Sequence, residues 1–212
     1  PGLDVERTKK LTRDYLASVT ALDRNVGRIL DALDRLHLSE NTLLICTSDH
    51  GYNIGHHGVW HKGNAAWLLK KDALPPGTAN IPVGERPNMF DTSLRIPLAI
   101  RWPGVIKAGT TNPHTLSHLD WLPTFAKLAG TAIPVGTIVR GRDVLPLLRG
   151  EVKTWDDDFY AEYSQRHRAQ THVRMYRTPE WKLIRDFMSE GRDELYHLAV
   201  DPGETHNLIA DP

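Results

Sequence analysis

The apolar run Thr42-Leu43-Leu44-Ile45-Cys46 opens directly onto Thr47-Ser48-Asp49-His50-Gly51. The run is too short and too continuously apolar for a surface helix, so it predicts a buried parallel strand, which in turn requires a sheet covered on both faces. A carboxylate and an imidazole then stand where that strand leaves the sheet, the place where open α/β folds build their sites. Neighbours on an extended strand point to opposite faces, so Asp49 and His50 reach one ion only if the chain turns there, and Gly51 permits a turn. The alternative is that Asp49 caps the following segment and His50 is a packed imidazole. Lys62 follows twelve residues after His50, and His50, His56, His57 and His61 are four of the eleven histidines. Together they point to a metal site that handles anions.

Upstream, Leu11, Tyr15, Val19, Leu22, Val26, Ile29, Leu33 and Leu36 recur at spacings of three and four, one face of a long amphipathic helix. Ser39-Glu40-Asn41 is a polar turn before the strand. From Ser48 to Arg95 the periodicity stops and Gly and Pro become frequent, which predicts a long functional loop. Ile96 to Trp102 reads as a further strand, with Pro97 at its start or on an edge. Ser117 to Leu128 reads as a helix with Pro123 in its first turn and Gly130 as its stop, and Asp143 to Leu148 as a short helical turn. After Gly150 come four short, aromatic-rich segments around 159–163, 173–177, 181–185 and 194–198, a small antiparallel sheet. The expected division is therefore 1–150, an α/β domain with a mostly parallel central sheet sandwiched by helices, and 151–212, a small C-terminal α+β subdomain.

Lys and Arg number 26, as do Asp and Glu, so net charge is zero and no basic stripe marks a nucleic-acid or membrane partner. Any affinity for anions must be local. No stretch approaches the roughly 18 apolar residues of a membrane span. The start, Pro1-Gly2-Leu3-Asp4-Val5-Glu6, has neither the basic nor the apolar part of a signal peptide and no initiator Met, so the expectation is a portion of a longer protein. The single cysteine, Cys46, excludes an internal disulfide and, inside the strand, reads as a small buried apolar side chain.

The segment Leu43 to Asn64, with Gly55-His56-His57-Gly58-Val59-Trp60-His61-Lys62, resembles the C-terminal metal-ligand motif of type I sulfatases in the alkaline phosphatase superfamily. The likeness continues through Arg95-Ile96-Pro97-Leu98, Trp102-Pro103-Gly104, Asp120-Trp121-Leu122-Pro123-Thr124, Trp181-Lys182-Leu183, Glu194-Leu195-Tyr196 and Asp201-Pro202-Gly203-Glu204-Thr205-His206-Asn207-Leu208. The resemblance implies an alkaline phosphatase-like fold, incomplete in this chain, and sulfuric ester hydrolysis. It implies Asp49 and His50 as ligands of one divalent cation, usually Ca2+, and Lys62 as a contact to the sulfate of the substrate. His57 and His61 are candidate acids or substrate contacts, or simply face solvent. Trp67 and Arg86, in the segment 65–88, are candidate contacts to a carbohydrate or another anionic group, or part of a solvated loop. The family nucleophile, a formylglycine made from the first residue of C/S-x-P-x-R, has no motif here. The expected partner is accordingly the N-terminal portion of the same protein, with a small-molecule or carbohydrate sulfate ester as substrate. By the same resemblance the location would be periplasmic or secreted. Two other readings remain at this point: a phosphodiesterase or phosphonate monoester hydrolase of the same superfamily, and a sulfatase-like binding module without catalysis.

Overall fold

A computed structural model describes residues 2–75, 85–166 and 169–211. Helix α1 (Val5–Arg35) starts at Asp4, whose side chain accepts a hydrogen bond from Arg7 N and so satisfies one of the free amides of the first turn. Strand β1 (Leu44–Thr47) pairs with β6 (Leu98–Arg101) in a two-stranded sheet. Between them lies a four-stranded antiparallel sheet ordered β2 (Asn53–Ile54), β3 (Val59–His61), β4 (Asn64–Trp67) and β5 (Glu85–Pro87), followed by the single helical turn α2 (Asp91–Leu94). The C-terminal sheet is ordered β10 (Glu194–His197), β9 (Trp181–Asp186), β8 (Gln170–Arg177), β7 (Phe159–Arg166), all antiparallel.

The chain forms two compact units, one of 1–39, 45–99 and 159–212, the other of 40–44 and 100–158. The first carries two apolar clusters. Val59, Ala65 and Trp67 pack with Leu69 and Leu74, while the inner face of the C-terminal sheet (Val173, Met175, Ile184, Tyr196) closes on Met89 and Phe90. An ionic cluster backs the second of these. Lys182 Nζ, with no exposed surface, lies 2.8 Å from Asp91 Oδ1 and 2.6 Å from Glu204 Oε1, and Arg177 approaches the other Asp91 oxygen at 3.4 Å. The C-terminal sheet thus shares its core with Met89 and Phe90.

In the second unit, α3 (Trp121–Leu128) begins after a turn built by Asp120, which accepts from Ser117 N and Arg142 N at 2.8 Å each. Pro123 lies in its first turn and Gly130, at φ +64°, ends it as expected. The short α4 (Leu145–Leu148) is also where the sequence predicts a helical turn.

Burial departs from expectation at two places. The apolar stripe of α1 is formed, yet among its described residues none is buried, and Leu22 and Ile29 are more than half exposed. Strand β1 is only partly covered and Cys46 is exposed rather than buried. Periodicity states which surface can be buried; the described residues cover these two only in part, as where Tyr15 stacks on Tyr52. The long loop expected from Ser48 to Arg95 is also corrected, because its described part is largely the short-stranded β2–β5 sheet.

Candidate functional site

Strand β1 is anchored at its end by Thr47 Oγ1, which donates to Pro97 O at 2.9 Å, and the chain then turns through Ser48 to Gly51. Ser48 Oγ donates to His50 O at 2.9 Å, His50 N donates to Asp49 Oδ1 at 3.1 Å, and Gly51 N donates to Ser93 O at 2.9 Å. Gly51 is demanded by proximity rather than by an unusual backbone angle: a Cβ there would lie 2.3 Å from Thr92 O.

That turn brings the two candidate ligands together. His50 Nδ1 lies 2.9 Å from Gly51 O. A carbonyl oxygen can only accept, so Nδ1 carries a proton, and in the neutral ring the lone pair available to a cation lies on Nε2. Nε2 stands 3.3 Å from Asp49 Oδ2. Two donor atoms that each sit about 2.0–2.5 Å from one cation are separated by roughly this much. The pair therefore fits a shared divalent ion, with a hydrogen-bonded imidazole of the kind that orients metal ligands. Desolvation pushes the Asp49 carboxyl up, but His50, the Asp49 and His50 amides and Lys62 together outweigh it and hold the group below its usual range. Among the described residues no cluster of three or more His, Cys, Asp or Glu side chains could hold a metal, so the pair alone would be at most a partial ligand set.

Lys62 lies in the β3–β4 connection, half-buried, and its charge is felt at Asp49. His61 beside it holds φ +90°, a strained value for a residue with a Cβ, with Nδ1 3.2 Å from Asn64 Oδ1 and its ring edge-on to Tyr52 at 5.4 Å. These three expectations share one corner of the fold.

The other candidates are placed differently. His57, at φ +53°, stacks on Phe90 with ring centroids 3.7 Å apart. Burial first, then the charges of His56, Arg86 and Lys182, push it down to about 4 against the opposing Asp201. It is neutral near pH 7, which suits a packing role better than that of an acid. Trp67 is 6% exposed and belongs to the core, so the expected carbohydrate contact is corrected. Arg86 is committed as well: it forms a half-hidden ion pair with Glu194, donates to Pro87 O at 2.8 Å, and lies over the Phe90 ring. Its guanidinium ties β5 to β10 instead of awaiting a ligand. Residues 76–84 of the same segment lie outside the described residues.

Comparison with known proteins decides the family. The model for sulfatases matches residues 4–131, and that for the C-terminal part of N-sulphoglucosamine sulphohydrolase matches 85–212. The chain belongs to the sulfatase family. Among its relatives is an N-acetylglucosamine-6-O-sulfatase of Bacteroides thetaiotaomicron, 33% identical over 93% of this chain and 32% of the relative. A solved structure in complex with its substrate D-glucosamine-2-N,6-O-disulfate superposes with TM-score 0.75 at 29% identity, over 94% of this chain and 36% of that one. The phosphonate monoester hydrolase of Agrobacterium radiobacter superposes with TM-score 0.67 at 27% identity, over 91% and 36%. The chain thus spans about a third of the length of the sulfatases it matches, and its fold is alkaline phosphatase-like, α/β with an added C-terminal antiparallel sheet.

Reading the sequence missed three buried polar residues near the candidate site, Asn53, Asn88 and Ser93. Asn53 lies 40 positions from Ser93 and none follows a periodic pattern, so only the fold joins them.

Proposed function

We propose that this chain carries the cation- and sulfate-binding part of a sulfuric ester hydrolase whose substrate is a sulfated carbohydrate. The observation that carries the reading is the convergence of Asp49 Oδ2 and His50 Nε2 at 3.3 Å, with the charge of Lys62 felt at Asp49. The carbohydrate class is supported by the likeness to an N-acetylglucosamine-6-O-sulfatase and by the disulfated glucosamine bound in the similar structure.

Cleavage of a sulfate ester leaves growing negative charge on the departing alcohol oxygen, and fixed positive charge aimed at that region lowers the barrier more than it stabilises the resting ester. Lys62 donates to a non-bridging sulfate oxygen and fixes the anion in place. Asp49 and the Nε2 lone pair of His50 would hold a divalent cation, Ca2+ in this reading, with Gly51 O keeping the imidazole in the tautomer that can ligate. When bound, the cation adds Lewis-acid polarisation of the sulfate oxygens. His61, wedged by Asn64 and Tyr52, lines the approach to Lys62. The nucleophile of the family, a hydrated formylglycine, would come from residues beyond this chain.

The second reading, hydrolysis of phosphonate monoesters or phosphodiesters, is favoured by the likeness to the Agrobacterium enzyme. The test uses the enzyme expressed from its whole reading frame with a formylglycine-generating enzyme, on an aryl sulfate, an aryl phosphate and an aryl phosphodiester. Preference for the sulfate, abolished by chelator and strongly lowered to a still measurable residue in Lys62→Ala, is the expected result. Preference for a phosphoester would move the assignment to the second reading. No turnover of any of the three would favour a module without catalysis.

A further inference from the structure

The two halves of the proposed site are joined by one buried chain of polar side chains. Asn53, Ser93 and Asn88 are 0%, 2% and 4% exposed. Asn53 Nδ2 donates to His61 O and to Ser93 Oγ, both at 2.8 Å, and its Oδ1 accepts from Thr92 Oγ1 at 2.5 Å. Ser93 Oγ in turn donates to Asn88 Oδ1 at 2.7 Å. Asn88 N donates to Gly63 O at 2.8 Å, and its Nδ2 donates to Arg86 O at 3.0 Å.

Of the carbonyls on either side of Lys62, that of His61 is held by the Asn53 side chain and that of Gly63 by the main-chain amide of Asn88, whose side chain Ser93 fixes. At its other end the backbone of Ser93 accepts from Gly51 N, the residue that orients His50. Asn53 uses both of its amide donors and Ser93 its one hydroxyl donor inside this set, so no member can swing to another partner without leaving a buried polar group unpaired. The strained φ of His61 needs such restraint to persist, because a residue with a Cβ relaxes from +90° when its neighbours allow it.

We infer that Asn53, Ser93 and Asn88 are positioning residues: they register Lys62 against the Asp49–His50 turn and hold the ammonium where the sulfate binds. This rests on the proposed role of Lys62. None of the three needs to touch substrate, and their effect is on where a charge stands, a quantity to which rate is steeply sensitive.

The experiment is a double-mutant cycle in the complete enzyme, with Ser93→Ala, which removes one oxygen and little volume, against Lys62→Ala. Aryl sulfate kinetics and competitive inhibition by inorganic sulfate are the readouts. Ser93→Ala alone should lower kcat about 10- to 100-fold, the scale of a misplaced group, and weaken sulfate inhibition. In the Lys62→Ala background it should change neither by more than about twofold, because residues that act as one unit are not additive. Asn53→Asp, which replaces the donor facing His61 O with an acceptor, should repeat both results. A full Ser93 effect in the Lys62→Ala background, or an unchanged kcat in the single variant, would overturn the inference. If neither variant is recovered folded, the polar chain serves the fold and the inference fails too. Wild-type activity in Lys62→Ala would instead strike at the proposed function itself, a distinguishable outcome.

Discussion

The backbone of Thr92 approaches Gly51 so closely that a side chain at Gly51 would place its first carbon 2.3 Å from the Thr92 carbonyl oxygen. Both partners are main chain next to a buried segment, so neither can yield by rotating a side chain. Gly51→Ala should cost about 1–3 kcal/mol by overpacking, read as a lower denaturant midpoint. It should also part Asp49 from His50, so that divalent-ion affinity of the complete enzyme falls with stability; stability lost at unchanged affinity would contradict this placement.

Lys182 is held wholly out of water by Asp91 and Glu204. Lys182→Met should destabilise by about 3–5 kcal/mol, because truncating one partner leaves buried carboxylates without a counter-charge. The two acids respond oppositely to pH. Asp91 feels desolvation first, which raises it, but Lys182 and Arg177 outweigh this and hold it below 3.8. Its stabilisation is present above the unfolded pKa and is lost as pH falls through the folded one. For Glu204 desolvation wins over Lys182 and raises it above 4.5. Its contribution is fully present below the unfolded pKa and lost as pH rises through the folded one. Replacing Glu204 with Gln should therefore hurt more at low pH than at neutral pH, a trend that equilibrium unfolding at several pH values would check.

The C-terminal strands were legible in the sequence because β7, β8 and β9 alternate with period two over six to eight residues. Strand β2 has two residues and β3 three, too few to show any period, and the Gly-rich composition around them reads as a loop. Asp49, His50 and Lys62 stood out as candidates through the family resemblance of the segment 43–64, and their roles rest on the proposed function. Trp67 and Arg86 misled for a common physical reason: a tryptophan or arginine in a glycine- and proline-rich segment looks available, whereas the fold turns Trp67 into core and pairs Arg86 with a glutamate 108 residues away. The chain Asn53–Ser93–Asn88 was invisible since polar residues forty positions apart announce nothing until they are buried together.

His57 shows the same limit, and it titrates in a useful range. Its pKa falls from 6.5 to about 4 in the fold, chiefly by burial against Phe90. The unfolded chain thus takes up a proton at a pH where the folded chain does not. The associated stability is complete above about 6.5, is lost as pH falls, and is gone once pH drops through about 4. His57→Phe keeps an aromatic ring over Phe90 and removes the titration. The variant should show a smaller stability difference between neutral and mildly acidic pH than the parent, measured by urea unfolding at each; an unchanged difference would mean that His57 stays protonatable in the fold.

The last prediction concerns the chain by itself. Asp49 and His50 supply two ligand atoms, and the described residues offer no cluster of three, while Ca2+ takes six to eight oxygens. Calorimetric titration of the 212-residue chain should therefore give a Ca2+ Kd weaker than about 10⁻⁴ M, and Asp49→Asn should abolish what binding there is. The same preparation should not turn over an aryl sulfate, because Lys62 and the ligand pair can stabilise departing charge but nothing among Cys46 and its neighbours matches the family's nucleophile motif. Its uncovered α1 stripe, with Leu22 63% and Ile29 55% exposed, should bind a hydrophobic dye, and Leu22→Glu with Ile29→Glu should reduce that signal. Tight Ca2+ binding or robust sulfate release from this chain alone would mean that its own side chains complete the site.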